Sequence, residues 1–204
     1  VYGRVVHLQP VEWRGGWPMM GALNGADTPG EPVLSYRKPN LPVARVAVPA
    51  TSDEFSSSRL GLQWQWHANH CEKWFSLSAR PGWLRLFALP ARDLNTTPNL
   101  LLQKFAARRF SVQTSLDISG GKSGAEAGLV VIGATHAALG MRRTDFGANV
   151  VYRNKDERVL VVSKSTMINL RVTVNDGGIC EFSFGEPAGS WTVLPEKFQA
   201  RAGV

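Results

Sequence analysis

Leu170-Arg171-Val172-Thr173-Val174-Asn175-Asp176-Gly177-Gly178-Ile179-Cys180-Glu181-Phe182-Ser183-Phe184 is the stretch that decides the fold class. On both sides of Asn175-Asp176-Gly177-Gly178 apolar and polar residues alternate with period two, as in a strand with one buried face. Asn, Asp and Gly tolerate the left-handed backbone that a tight hairpin turn requires. The stretch therefore predicts a β-hairpin, and the same signature recurs upstream. Phe110, Val112, Thr114, Leu116 and Ile118 alternate cleanly. Residues 128–133 form a continuous apolar run, read as a central strand. Residues 137–143, 149–154 and 158–163 follow at intervals of about ten residues, and residues 191–194 close the series. No window forms a long amphipathic helix. Short strands separated by Gly, Pro, Asn and Asp turns spell an all-β sandwich.

Working outward, the pattern begins after Asp53. Leu60, Leu62, Trp64 and Trp66 alternate with polar residues and predict a strand with four large side chains on one face. Shorter strands are expected over residues 74–77, 83–88 and 100–105. Residues 1–50 differ: they hold Pro10, Pro18, Pro29, Pro32, Pro39, Pro42 and Pro49, seven of the 12 prolines. Proline fixes φ and removes a backbone donor, so beyond a short strand at residues 5–8 this stretch is read as an extended linker. Trp13 and Trp17 suggest that it is pinned to a surface. There is no internal repeat and no low-complexity tract.

The 204 residues, 44% of them hydrophobic, suffice for one sizeable β domain with an appendage. The apolar and aromatic content excludes a disordered chain. No apolar run is long enough for a membrane-spanning helix, and no signal-peptide pattern stands near Val1. The net charge of +7 raises the question of nucleic acid. The basic residues are dispersed singly or in pairs, Arg108-Arg109 and Arg142-Arg143, without a block or helical stripe. Neither nucleic acid nor membrane is therefore expected as a partner. Cys71 and Cys180 are too few for a disulfide framework and are read as two buried free thiols. Asn95-Thr96-Thr97 matches a glycosylation sequon, which has meaning only in a eukaryotic secretory context.

Several constellations could carry chemistry. His67-Ala68-Asn69-His70-Cys71 places three borderline ligands together, but no second cluster completes a zinc site, so it is read as a polar loop. Ser119-Gly120-Gly121-Lys122-Ser123-Gly124 lacks the first glycine of a phosphate loop and the following helix, and is read as a hairpin loop. The acid pairs Asp53-Glu54 and Asp156-Glu157 come without evident aromatic or basic partners and are read as solvated turn acids. Trp64, Trp66, Trp74 and Trp83 could stack sugars on an exposed face, but burial is the favoured reading for such residues.

Taken in order, these motifs resemble a known family. Ser52-Asp53-Glu54-Phe55, Leu60-Gly61-Leu62-Gln63-Trp64-Gln65-Trp66, Trp74-Phe75-Ser76-Leu77 and Gly82-Trp83-Leu84-Arg85-Leu86 are similar to the opening of the C-terminal domain of family 43 glycoside hydrolases, the β-xylosidase and α-L-arabinofuranosidase-like enzymes. Asn99-Leu100-Leu101-Leu102-Gln103-Lys104-Phe105, Ala127-Gly128-Leu129-Val130-Val131, Leu170-Arg171-Val172 and residues 191–202 continue the likeness. Gly3-Arg4-Val5-Val6-His7-Leu8-Gln9-Pro10, Trp13 and Gly16-Trp17-Pro18 resemble the last piece of the family's five-bladed catalytic propeller.

The resemblance implies a concanavalin-A-like (jelly-roll) β-sandwich over 52–204, preceded by the propeller tail at 1–23 and a Pro-rich linker at 24–51. It implies an inverting glycosidase that removes xylose or arabinose from plant-cell-wall oligosaccharides, with this segment as the accessory sandwich packed on the propeller. Arg4 matches the family's substrate-contacting arginine. The catalytic aspartate base, glutamate acid and second aspartate of the family belong to upstream blades, so no catalytic and no metal-ligating residue is expected here. No cofactor is expected in this segment; a divalent cation is a feature of some relatives' propellers. The segment is expected to be an internal fragment whose sandwich continues past Val204. Residues 134–138 are poorer in aromatics than is usual in the family. The resemblance leaves a homo-oligomer open, and the compartment as either cytoplasmic or secreted. The alternative is a stand-alone carbohydrate-binding sandwich without catalysis.

Overall fold

The computed structural model describes residues 7–25, 28–42, 45 and 47–203. The chain divides into two compact units, residues 1–48 and 49–204.

In the first unit, β1 (Val11–Arg14) and β2 (Trp17–Met20) pair antiparallel, with Arg14 opposite Trp17. The connection is Gly15-Gly16, with φ of 55° and 84°. Two successive positive φ values match the twist of a two-residue hairpin, and glycine adopts them without steric cost. The Gln9 side chain then clamps Val33, accepting from its amide at 2.8 Å and donating to its carbonyl at 3.2 Å. Over residues 11–20 a hairpin thus stands where an extended chain is expected. The prolines of residues 9–33 stand outside the ladder or, at Pro18, on a two-stranded ribbon with a free side. The irregular reading does hold for residues 35–42 and 47–50, which carry no regular secondary structure. Of the strand expected at residues 5–8, residues 5 and 6 lie outside the described residues, and His7 and Leu8 carry no regular secondary structure.

The second unit begins with a loop-rich lobe. Its strands are two residues long: β3 (Gln65–Trp66) pairs with β6 (Leu101–Leu102), and β4 (Phe75–Ser76) with β5 (Arg85–Leu86). The long strand expected from Leu60 to Trp66 does not form, and Leu62 is fully exposed. Side chains and local turns hold the chain there instead. The Asp53 carboxylate accepts from the Phe55 amide at 2.8 Å and from the Trp64 indole N–H at 2.8 Å. Phe55 is held at φ 52°, the only positive φ at a non-glycine among the described residues. The Asp53 side chain thus ties the start of the lobe to the Trp64 ring.

The sandwich follows, in strands β7 (Phe110–Asp117), β8 (Glu126–Ile132), β9 (His136–Thr144), β10 (Gly147–Arg153), β11 (Glu157–Ser163), β12 (Met167–Asn175), β13 (Ile179–Gly185) and β14 (Thr192–Gln199). One sheet has the order β14-β13-β12-β7 and the other β11-β10-β9-β8, all neighbours antiparallel. The chain runs from β7 into the second sheet, meanders through its four strands, and returns to the first. Two expectations change as a result. Residues 118–125 cross between sheets and are not a hairpin loop. β8 is an edge strand and not a central one, because β7 belongs to the other sheet. Its apolar end is covered from elsewhere: the Ala134 amide donates to the Arg201 carbonyl at 3.1 Å, next to Gly133.

Alternation fixes the core. Along β9 and β12 every second residue is buried: Ala137, Leu139 and Met141 in one, Ile168, Leu170, Val172 and Val174 in the other. They meet Val150, Tyr152, Cys180, Phe182, Leu194 and Phe198 in one cluster. Tyr152 and Phe182 pack edge to face, 5.5 Å between ring centres. Each such side chain contributes about 1.5–3 kcal/mol by leaving water. The hairpin that announced the fold is present, with Gly177 and Gly178 at φ 74° and 78°. Asp176 in its turn is paired with Arg109, whose Nε lies 2.8 Å away.

Candidate functional site

Arg4, the residue assigned to substrate, lies outside the described residues. The other candidates fall on the lobe and on the outer face of one sheet.

In the lobe, the tryptophans form two half-buried aromatic clusters rather than part of the sandwich core. Trp64 stacks on Phe55 at 5.8 Å. Trp66 contacts Trp74 at 5.7 Å, Phe75 at 5.3 Å and the His70 ring at 6.1 Å. Trp83 lies under the Arg80 guanidinium, 3.9 Å from ring to Cζ. Arg80 also reaches Asp117 on β7 at 2.7 Å, which ties lobe to sandwich. Burial pushes the Asp117 carboxyl up, but hydrogen bonds from Ser119 and the charge of Arg80 outweigh it and hold the pKa below its ordinary value.

The His67–Cys71 stretch behaves as a polar loop. His67 bonds the Asn95 carbonyl at 3.1 Å, and His70 bonds Glu72 at 3.1 Å. Among the described residues no three His, Cys, Asp or Glu side chains come together as metal ligands. Cys71 is exposed, against expectation, because it sits in this loop; Cys180 is buried, and burial raises its thiol to about 11. Asp53, read as a solvated turn acid, is instead the acceptor that organises Phe55 and Trp64.

Between the two serine-rich turns of the lobe lies an open cleft of about 680 Å³. Phe55 and Phe75 supply its rings, Ser56, Ser57, Ser58, Ser76 and Ser78 its hydroxyls, and Glu72 its carboxylate. Sequence reasoning missed it, because residues 55–58 and 72–82 meet only through the non-ladder turns.

On the outer face of the second sheet, Arg142 and Arg153 alternate with Glu126 and Glu157. The four pairs span 2.5 to 2.9 Å. Register places Gly128 opposite Gly140, and Gly140 opposite Val151, inside this ring. A methyl at Gly140 would clash with the Ala127 carbonyl and the Gly128 backbone, so this floor carries no side chain there. Hydrogen bonds from Arg142 and Arg153 hold Glu157 at a pKa of about 2. Asp156-Glu157 is thus not a pair of equivalent solvated acids: Glu157 has two basic partners. The hydrogen bond from Lys197 likewise lowers Glu181. Asp117, Glu157 and Glu181 are all moved down, the opposite of what a general acid requires.

Comparison with known proteins matches this architecture. Residues 52–202 fit the family described as the β-xylosidase C-terminal concanavalin A-like domain. A Xylanibacter ruminicola protein is 36% identical over 141 residues, which is 69% of this chain and 26% of that protein. A β-xylosidase of Formosa agariphila is 48% identical over 86 residues, 42% of this chain and 14% of that enzyme. A bifunctional GH43-CE protein of Bacteroides eggerthii superposes with a TM-score of 0.69 at 25% identity, over 96% of this chain and 26% of that one. The chain spans about a quarter or less of the length of these relatives. With its two four-stranded sheets and its lobe inside the matched span, the chain belongs to the family of C-terminal concanavalin A-like domains of the family 43 β-xylosidases.

Proposed function

We propose that this chain is the accessory sandwich of a glycoside hydrolase that removes xylosyl or arabinosyl units from plant-cell-wall oligosaccharides with inversion. In this reading residues 1–23 are the tail of a five-bladed catalytic propeller, residues 24–51 the linker, and residues 52–204 the sandwich that shapes one wall of the pocket. The catalytic carboxylates, and any divalent cation, belong to the propeller. The observation that carries the reading is the match of residues 52–202 to the C-terminal domain of β-xylosidases, with the two-sheet sandwich that folds there; the use made of the carboxylates fits it. Asp53, Asp117, Glu126, Glu157, Asp176 and Glu181 are spent on indole, amide, arginine and lysine partners. Glu54, Asp145, Asp156 and Glu186 are exposed on turns and loops. A glycosidase instead needs two carboxylates across one bond, one of them kept protonated.

Arg4 is the residue of this chain proposed to touch substrate, since a guanidinium offers several fixed donors to sugar hydroxyls or to a neighbouring carboxylate. Arg4→Ala in the whole enzyme is expected to lower kcat/KM on an aryl β-xyloside by about tenfold or more, the worth of one charge-assisted hydrogen bond. An unchanged kcat/KM removes Arg4 from the site.

A further inference from the structure

The cleft of the lobe has features that packing alone does not require. Phe55 is the one non-glycine residue held in the left-handed region among the described residues. A bulky side chain there is strained, and such strain persists only where the surroundings over-determine it. Here the surroundings are the Asp53 carboxylate, which takes the Phe55 amide, and the Trp64 ring, which stacks on the Phe55 ring and is itself tied to Asp53. The result is a ring lining a cleft whose other ring, Phe75, is backed by Trp66. The Ser56 and Ser58 hydroxyls, which also line it, bond to no group among the described residues, whereas Ser57 accepts from the Arg59 amide and Ser76 from the Ser78 and Ala79 amides. Glu72 carries a mostly exposed carboxylate that, among the described residues, meets only His70.

Two phenyl rings, hydroxyls that both donate and accept, and one carboxylate that only accepts are the complement of a pyranose. Its ring carbons present apolar faces and its rim presents vicinal hydroxyls. The volume of about 680 Å³ lies within the roughly 300–1,000 Å³ of small-ligand sites. We propose that this cleft binds a short β-linked xylo-oligosaccharide between Phe55 and Phe75, with Ser56, Ser58 and Glu72 bonding its hydroxyls. That the sugar is a pentose rests on the function proposed above; that it is a saccharide rests on the cleft.

Titration of the 204-residue chain with xylohexaose, followed by calorimetry and tryptophan fluorescence, tests this. Saturable binding is expected, together with a fluorescence change from Trp64 and Trp66 behind the two rings. The double variant Ser56→Ala/Ser58→Ala alters only exposed hydroxyls and is expected to keep the melting temperature while weakening binding about tenfold. Glu72→Gln is expected to weaken it to a similar degree. Absence of saturable heat up to about 10 mM sugar, where even weak sites fill, overturns the proposal. So does parent-like binding by both variants. Cellohexaose bound as tightly as xylohexaose overturns the pentose assignment. Since the readout is binding and not turnover, a negative result leaves the hydrolase reading standing. Failure of that reading appears separately, as a whole enzyme that cleaves no pentoside.

Discussion

The sandwich and the aromatic lobe are neighbours in one unit, yet they are held together by different means. In the sandwich, eight strands of seven to nine residues close their backbone groups in ladders, and the two sheets bury one aliphatic and aromatic core. In the lobe, strands are two residues long, every tryptophan is half-buried, and order comes from side chains that capture backbone or indole donors. Asp53 serves Phe55 and Trp64, Asp93 caps the turn at Thr96, and Asn99 donates to the Phe87 carbonyl at 2.7 Å. The lesson is that apolar alternation gives a strand only when a partner strand supplies the ladder. Where no partner strand stands beside it and side chains and local turns hold the chain, the same alternation gives a loop with large rings on it.

The two thiols give the widest separation between the regions. Cys71 in the lobe is exposed, while Cys180 sits in the core with its thiol raised to about 11 by burial. In native buffer Cys71 is expected to react with a thiol reagent at once. Cys180 is expected to be slower by about a thousandfold or more, since it must wait for the sandwich to open. Equal rates would mean that the sandwich opens as readily as the lobe.

Point changes sharpen the contrast. Leu170→Ala empties a fully buried position between the sheets and is expected to cost about 3–5 kcal/mol in urea unfolding. Asp53→Ala removes two hydrogen bonds from half-buried donors and releases the Phe55 strain. Its expected cost is about 1–3 kcal/mol, felt in the lobe. The discriminating readout is a shifted Trp64 emission with Cys180 protection retained. Loss of that protection would make the lobe part of the same cooperative core.

The smallest effect belongs to the charge ring on the outer face. Glu157 is depressed to about 2 from an ordinary 4.5. A depressed acid stabilises the fold above its unfolded pKa, and that contribution fades as pH falls from about 4.5 toward 2. Solvent reaches these side chains, so the whole effect is about 1 kcal/mol or less. Glu157→Gln is expected to flatten the stability profile in that window and change little at neutral pH beyond this amount. A parent-like slope below pH 4.5 would assign the acid sensitivity elsewhere.

Legibility followed the same boundary. The hairpin at Asn175–Gly178, the alternation along β7 and the spacing of β9 to β11 were readable because period two and turn chemistry are local. What was not readable is set by partners distant in sequence. The edge position of β8 depends on β7 joining the other sheet. The place of residues 118–125 as a crossover follows from the same choice. One partner of Asp53, Trp64, lies 11 residues away and one of Glu157, Arg142, lies 15 residues away. The cleft needed residues 55–58 and 72–82 to be brought together by turns with no periodic signal. At the N-terminus, Gly15-Gly16 between Trp13 and Trp17 did carry a hairpin signal, which the density of prolines obscured.

The central proposal is that this chain serves a hydrolase and does not itself cleave glycosides. The direct measurement compares release of nitrophenol from aryl β-xyloside and α-L-arabinofuranoside by the purified 204-residue chain with that by the whole enzyme. The account predicts turnover by the whole enzyme and none above background by the chain. Turnover by the chain that survives repurification would contradict it, and would place a working pair of carboxylates among residues assigned here to structure.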